Sequence, residues 1–146
     1  QRMPKNPREE FGNPATYPYY TVCTTSTHDM GGIRSWWEAD RAKTQSFYNH
    51  ILNEQGEAPY FAEPWVCEKI IDQNLQSPAM LCILPLQDWL SIDGKLRREN
   101  PAEEQINEPA ICPYYWRYRM HLTMEQLLGE RLYAKRVAAL VSEAGR

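Results

Sequence analysis

The stretch "TVCTTSTHDMGGIRSWWEAD", residues 21–40, decides the fold class. It opens with a β-branched and apolar run, passes through Ser26-Thr27-His28-Asp29 and two glycines, and continues as a helical pattern from Ile33. Such a change of pattern predicts a strand that leads through a short loop into a helix. A histidine and an aspartate therefore stand side by side at the carboxyl end of a predicted strand.

Two interpretations of this pair follow from the residues alone. Asp29 stands where a helix N-cap belongs, and its carboxylate would accept hydrogen bonds from the first free backbone N–H groups of the helix. Alternatively, Asp29 lies on the edge of a sheet where β/α barrel enzymes carry their catalytic groups. His28 is then either a donor to substrate or a general acid or base, or else an ordinary histidine satisfied by backbone carbonyls.

The remaining chain alternates between strand and helix patterns. The predicted elements are a strand over 17–25, a helix over 33–52, a helix over 64–75, a continuously apolar strand over 79–84, a helical turn over 87–90, a long loop over 91–113 and a final helix that opens at Thr123 with a capping box. The inner face of this final helix is predicted to hold seven apolar residues: Met124, Leu127, Leu128, Leu132, Val137, Leu140 and Val141.

This order of elements predicts an α/β fold with a parallel sheet. Two strands make a poor sheet, however, and a complete β/α barrel needs eight strands and roughly 250 residues. The chain has 146 residues and no linker that would divide it. We therefore predict one segment, residues 1–146, that forms part of a larger β/α structure and is rich in helix when taken alone.

Composition excludes several classes of protein. A net charge of −3 disfavours a nucleic-acid binder, and no apolar run approaches the roughly 20 residues that span a bilayer. The histidines His50 and His121 have no spaced partners, so no metal site is assigned. Four cysteines without a C-x-x-C pair indicate reduced thiols in a cytoplasmic protein: Cys23, Cys67, Cys82 and Cys112.

The loop "INEPAICPYYWRYRM", residues 106–120, gathers an amide, four large aromatic rings and two arginines. One interpretation is a loop held down by its aromatic side chains, with the arginines paired to carboxylates elsewhere. The other is a carbohydrate site, since the same groups bind sugar hydroxyls and stack on the C–H faces of sugar rings. Composition alone leaves both open.

Three ordered blocks of the sequence resemble the 4-α-glucanotransferases, the amylomaltases or disproportionating enzymes of glycoside hydrolase family 77. "TSTHDM…IRSWW" resembles the family's T-x-T-H-D-N…R-G-W pattern, and "ILPLQDWLSI" resembles its P-L-Q-D-L-L-G-L segment. "NEPAICPYYWRYR" is similar to N-x-P-G-T-x-x-x-N-W-x-W-R at identical spacing through Asn107, Pro109, Trp116 and Arg119. The similarity is strongest to the branch that holds the plant cytosolic disproportionating enzymes.

The resemblance implies that the chain is about the last two β/α units of a TIM-type (β/α)8 barrel. It implies transfer of α-1,4-glucan segments between maltodextrins by a retaining double displacement, without a cofactor. By position in the motifs, Asp29 is a catalytic carboxylate that stabilises the transition state. His28 and Asn107 are implied to bind the substrate.

The chain also departs from the family pattern. Met30 replaces an Asn, Ala110-Ile111 replaces Gly-Thr and Tyr115 replaces a second Asn, changes that bear on contacts with the acceptor glucan. Counterparts of the family's nucleophile and acid/base carboxyl are missing from residues 1–146.

The isolated segment is therefore predicted to be inactive. Its partners are the glucan substrate and the rest of the barrel, or a second copy of itself through exposed strand edges. The alternative is a free-standing, non-enzymatic module that binds glucan or another partner.

Overall fold

The computed structural model describes residues 1–4 and 6–146. Within these residues, six helices and two short strands form the fold. In chain order they are β1 (Val22–Cys23), α1 (Ile33–Ala39), α2 (Arg41–His50), α3 (Pro64–Leu75), β2 (Leu81–Cys82), α4 (Leu86–Leu90), α5 (Met124–Gly129) and α6 (Arg131–Glu143). Turns of 3-10 helix lie at Pro14–Thr16 and Pro101–Glu104.

The two strands pair in parallel, with Val22 opposite Leu81 and Cys23 opposite Cys82. Helices α1, α2 and α3 form the connection between them, so the expected β/α arrangement with a parallel pair is present. Because parallel strands share a direction, the loops after β1 and after β2 leave the pair at the same edge. The loop to α1 and the start of α4 are therefore neighbours.

Both strands are shorter than the sequence predicts. Pairing is limited to two residues in each, whereas strands were expected over 17–25 and 79–84. A continuously apolar strand is typical of one that is buried on both faces of a parallel sheet, and that expectation is wrong here, since Leu81 and Ile83 are exposed. The physical reason is that each strand has one hydrogen-bonded neighbour within the described residues, so no third strand flanks these side chains.

Two predicted helices are each divided in the structure. The helix expected over 33–52 breaks at Asp40, which has extended backbone and caps α2 by accepting from the N–H groups of Ala42 and Lys43. The final helix breaks at Glu130, after the predicted capping box between Thr123 and Gln126, which is present. Three of the predicted inner residues are exposed instead: Met124 and Leu128 on α5 and Leu132 on α6.

The core lies between helices α1, α2 and α3. Phe47 is at its centre, in edge-to-face contact with Phe11 and Trp36 at centroid distances of 5.0 Å each. Trp37 is fully buried, and its indole N–H donates to the carbonyl of Pro59. These rings therefore pack in the core, which anchors the helices that carry the loops at the sheet edge.

Among the described residues, no helix combines the length and the apolar character that a membrane span requires.

The core can be tested with a pair of identical substitutions. Ile71 on α3 is fully buried and Ile83 is 59% exposed. Removing one methylene in Ile71→Val is expected to lower the free energy of unfolding by about 0.5–1.5 kcal/mol, because the site cannot fully collapse around the gap. Ile83→Val is the control, with an expected change within about 0.5 kcal/mol. Urea unfolding of residues 1–146 alone, in which Ile83 is exposed, measures both, and equal losses would contradict the described core.

Candidate functional site

The loop between β1 and α1 carries His28 and Asp29 at the carboxyl edge of the parallel pair. About half of each side chain is exposed to solvent. Within the loop the hydrogen bonds are long: the Asp29 N–H donates to the Thr27 hydroxyl over 3.4 Å, and the Met30 N–H donates to the Thr27 carbonyl over 3.3 Å. Both predicted residues are thus accessible to a ligand.

Asn107 reaches this loop from a distant part of the chain. Its side-chain amide donates to Oδ1 of Asp29 over 2.5 Å, and its backbone N–H donates to the His28 carbonyl over 3.0 Å. The three residues assigned from the sequence therefore form one hydrogen-bonded group, although Asn107 lies 78 positions after Asp29. An amide and a carboxylate in such contact present both donors and acceptors to a polyol.

His28 links the carboxylate to an aromatic surface. Its Nε2 lies 3.3 Å from Oδ1 of Asp29, and its ring centroid lies 4.9 Å from that of Trp116 at an interplanar angle of 44°. An imidazole nitrogen can exchange a hydrogen bond with a substrate hydroxyl, and here it would do so beside the carboxylate. The ring of Trp116 is itself exposed and faces no buried core.

Asp29 does not cap helix α1, so that interpretation of the sequence is wrong. The N-cap position is Gly32, and the first free N–H group, that of Ile33, donates over 2.8 Å to Oδ1 of Asp88. The capping carboxylate comes from α4, 55 residues away. The Asp29 carboxylate therefore remains at the surface, where it contacts Asn107 and His28.

The loop over 106–120 is held down by only some of its aromatic rings, since Tyr114 and Tyr118 are half-buried. Tyr115 and Trp116 are both largely exposed, and the Arg117 guanidinium lies 5.5 Å from the centroid of Tyr115. Arg98 lies over the ring of Tyr118 and donates to the carbonyl of Arg119. Exposed rings beside polar side chains suit the stacking and hydrogen bonding of a sugar chain.

A buried ion pair fixes the segment that leads to Asn107. Nη1 of Arg34 on α1 donates to Oε1 of Glu104 over 2.8 Å, and both side chains are buried. The same guanidinium donates to the carbonyls of Arg98 and Glu99 over 2.6 and 3.1 Å. Burial raises the pKa of Glu104, and the charge of Arg34 offsets only part of that increase.

A cavity of about 280 Å³ lies beneath the site, between the His28 loop and α4. His28, Met30, Gln87 and Glu104 contribute to its wall. The amide of Gln87 donates to the carbonyl of Glu104 over 3.2 Å, which connects α4 to the segment before Asn107.

Sequence reasoning missed three residues of the site: Arg34, Asp88 and Glu104. Arg34 and Asp88 lie inside the motifs "IRSWW" and "PLQDWL". The motifs were identified in the sequence, but the contacts that these two side chains make were not predicted. Glu104 gave no signal, since a buried partner 70 residues from Arg34 cannot be inferred from spacing. His121, which had no assigned role, lies 2.8 Å from the Leu96 carbonyl through Nε2, and His50 lies 3.2 Å from the Ser46 hydroxyl.

Comparison with known protein families gives a match over most of the chain. The family model of the 4-alpha-glucanotransferases, glycoside hydrolase family 77, matches residues 1–124. The 4-alpha-glucanotransferase DPE2 of Oryza sativa subsp. japonica is 38% identical over 146 residues, which is 100% of this chain and 15% of the rice protein. The 4-alpha-glucanotransferase of Chlamydia muridarum is 25% identical over 132 residues, which cover 86% of this chain and 24% of that protein.

A solved structure shares the fold. The amylomaltase from Streptococcus agalactiae in complex with acarbose superimposes with a TM-score of 0.65 at 20% sequence identity. The match covers 91% of this chain and 23% of the amylomaltase. The chain thus spans between about a seventh and a quarter of the length of these relatives.

Proposed function

Because the chain belongs to glycoside hydrolase family 77, the 4-alpha-glucanotransferases, we propose that residues 1–146 are the carboxyl-terminal part of an enzyme that transfers α-1,4-glucan segments between maltodextrins. They form one segment, about the last two β/α units of a (β/α)8 barrel. The contact of Asn107 with Asp29 and His28 at the carboxyl edge of β1 carries this proposal. Barrel enzymes place their catalytic groups at that edge.

Asp29 is the residue that stabilises charge in this proposal. Cleavage of a glycosidic bond passes through an oxocarbenium-like transition state, in which positive charge develops on the sugar ring. A fixed carboxylate at that position favours the transition state over the uncharged ground state. Asn107 fixes one oxygen of the carboxylate by donating to Oδ1, and this contact leaves Oδ2 available to the sugar.

His28 and Asn107 bind the substrate through its hydroxyl groups. Nε2 of His28 lies beside the Asp29 carboxylate, so a hydroxyl that accepts from the imidazole is held within reach of the charge. The exposed ring of Trp116, next to His28, offers a surface on which a sugar ring stacks. Together these groups orient a glucan against Asp29.

The bond-breaking groups belong to the rest of the enzyme. In a retaining transfer, an acid carboxyl protonates the leaving glycosidic oxygen while a nucleophilic carboxylate bonds to the anomeric carbon. The 4-hydroxyl of the acceptor glucan then attacks that carbon, gives its proton to the same acid/base group and releases the carboxylate. The motif resemblance assigns neither carboxyl to residues 1–146, so the isolated segment is expected to be inactive.

The segment is expected to need the rest of the barrel as a partner. Val22 on β1, Leu81 on β2 and Ile83 just after β2 are exposed in the described structure. Unpaired strands with apolar side chains associate with other strands, so the segment alone is expected to self-associate. We further propose a cytoplasmic location, which agrees with four free cysteines, Cys23, Cys67, Cys82 and Cys112.

The rival function is a module that binds glucan without transferring it. The observation that favours it is the exposed aromatic surface of Tyr115 and Trp116, which needs no catalytic carboxylates to hold a sugar. The two functions differ in their products, because a binding module leaves maltotriose unchanged.

Incubation of the full-length protein with maltotriose tests the proposal. Transfer yields glucose and longer maltodextrins while the total number of reducing ends stays constant, since each bond broken is replaced by another. The segment 1–146 alone is the matched control and is expected to give no products. A rise in reducing ends would identify a hydrolase, and retention of maltodextrin without any product would favour the binding module.

A further inference from the structure

Asp88 is a buried carboxylate that the proposed transfer does not use directly. It lies on α4, and only 1% of the residue is exposed. Its Oδ2 accepts from the hydroxyls of Thr25 and Ser26 over 2.6 and 2.7 Å, and its Oδ1 accepts from the N–H of Ile33 over 2.8 Å. Three donors satisfy this carboxylate, which explains how a charge is tolerated in the interior.

The three donors lie on both sides of the loop that carries Asp29. Thr25 and Ser26 end the segment that follows β1, and Ile33 begins α1. The six residues between them, 27–32, include His28 and Asp29. One side chain from α4 therefore holds the start and the end of the loop that carries Asp29.

Little else holds this loop from within. Its two internal hydrogen bonds, from the N–H groups of Asp29 and Met30 to Thr27, measure 3.4 and 3.3 Å. The cavity of about 280 Å³ adjoins its inner side, so the loop is not tightly packed against α4 there. The position of Asp29 thus depends on the two ends of the loop and on two contacts from outside it. These are the hydrogen bonds from Asn107 and those from the Arg2 guanidinium to Sδ of Met30 and the carbonyl of Gly32.

Gly32 shows how closely the loop approaches the carboxylate. A Cβ atom at residue 32 would lie 2.6 Å from Oδ1 of Asp88, which is inside the contact distance of two such atoms. The glycine is required by this approach and not by its backbone angles, since its φ is −62°. The residue that ends the loop is therefore fitted to Asp88.

We propose that Asp88 is a positioning residue for Asp29 in glucan transfer. Its hydrogen bonds fix both ends of the loop and so place the Asp29 carboxylate where positive charge develops on the sugar. The inference rests on the proposed function and adds a residue to it. A displacement of about 1 Å in a reacting group costs up to about a hundredfold in rate, so loss of this support affects kcat more than substrate binding.

The test measures maltotriose transfer by the full-length protein in four forms: wild type, Asp88→Asn, Asp29→Asn and the double variant. Asp88→Asn preserves shape but presents N–H donors to the two hydroxyls that now donate to it. We expect a fall in kcat of about 10–100-fold with KM changed less than about threefold. In the Asp29→Asn background the same change is expected to cost less than about threefold, because no carboxylate remains to be positioned.

A role limited to stability makes a different prediction. It would lower the amount of active enzyme by the same factor in both backgrounds, and that result would overturn the proposal. Thr25→Val removes one of the three donors at nearly constant volume, and it replaces Asp88→Asn in the comparison if that variant does not fold. It is expected to lose less rate than Asp88→Asn and to lose it only when Asp29 is present.

Failure of the proposed function gives a separate result. If the wild-type protein does not transfer glucan, the function is wrong whatever Asp88 does. If it transfers glucan and Asp29→Asn is as active as wild type, the function stands while the positioning role of Asp88 is overturned. Asp72→Asn on α3, whose carboxylate accepts from Gln76, is the control variant and should retain wild-type kcat.

Discussion

Asp29→Asn in the full-length protein is expected to lower the rate of maltotriose transfer at least a hundredfold, equivalent to about 3 kcal/mol of transition-state stabilisation. Asparagine keeps an oxygen that can accept from the Asn107 amide, so the contact that shapes the site can persist. What the substitution removes is the negative charge. The size of the loss therefore measures electrostatic stabilisation of the transition state.

The comparison needs a control for the removal of a carboxylate elsewhere. Asp72→Asn makes the same chemical change on α3 and is expected to retain the wild-type rate. Thermal unfolding of both variants separates lost folding from lost chemistry. A near-normal rate in Asp29→Asn would contradict a catalytic role. A large loss of rate could not be attributed to a lost helix cap, because Asp88 and not Asp29 caps α1.

The residues of the candidate site could be assigned from the sequence because they stand in motifs. His28 and Asp29 follow a β-branched run, and Asn107 begins a block of fixed spacing. Their contact across the chain was not predicted, since the resemblance implied only a role for each residue at the substrate, and nothing in the spacing of 78 residues indicates that an amide meets a carboxylate. The parallel pairing of β1 and β2 could be predicted from the order of elements, and it places the loop of Asp29 beside α4.

The prediction of helices failed at two positions where a capping side chain sets the start of a helix. The apolar positions of α1 and α2 fit one continuous helical face, but Asp40 is a favoured N-cap residue and starts a second helix there. The opposite error occurred at Asp29, which has the right residue type in the right place to cap α1. Asp88, distant in sequence, reaches the Ile33 N–H instead, and tertiary contacts of this kind override local preference.

The ion pair between Arg34 and Glu104 was also beyond sequence reasoning, and its removal has the second large expected effect. Arg34→Met in the full-length protein is expected to lower the free energy of unfolding by about 3–5 kcal/mol at neutral pH. The substitution leaves the Glu104 carboxylate buried without a cation and removes the donor from the carbonyls of Arg98 and Glu99. Urea unfolding of the wild type and the variant measures the difference.

Arg136→Met is the matched control for this substitution. Arg136 pairs with Glu68 at the surface, where 60% of its side chain is exposed. Exposed ion pairs contribute about 0–1 kcal/mol, because solvent screens the charges and ordering two long side chains costs entropy. Equal losses in the two variants would show that Arg34 and Glu104 are not paired in the interior.

The pH dependence identifies Glu104 as the source of the loss. Its pKa is raised in the folded protein by burial, and removal of the Arg34 charge raises the pKa further. A carboxyl whose pKa is higher in the folded state contributes stability that is fully present below its unfolded pKa, about 4.3, and is lost as the pH rises through the folded pKa. The Arg34→Met variant should therefore lose more stability than the wild type on going from pH 4 to pH 7. Adding Glu104→Gln, which carries no charge at either pH, should remove that extra loss, and a gap that stays constant with pH would contradict a buried carboxylate.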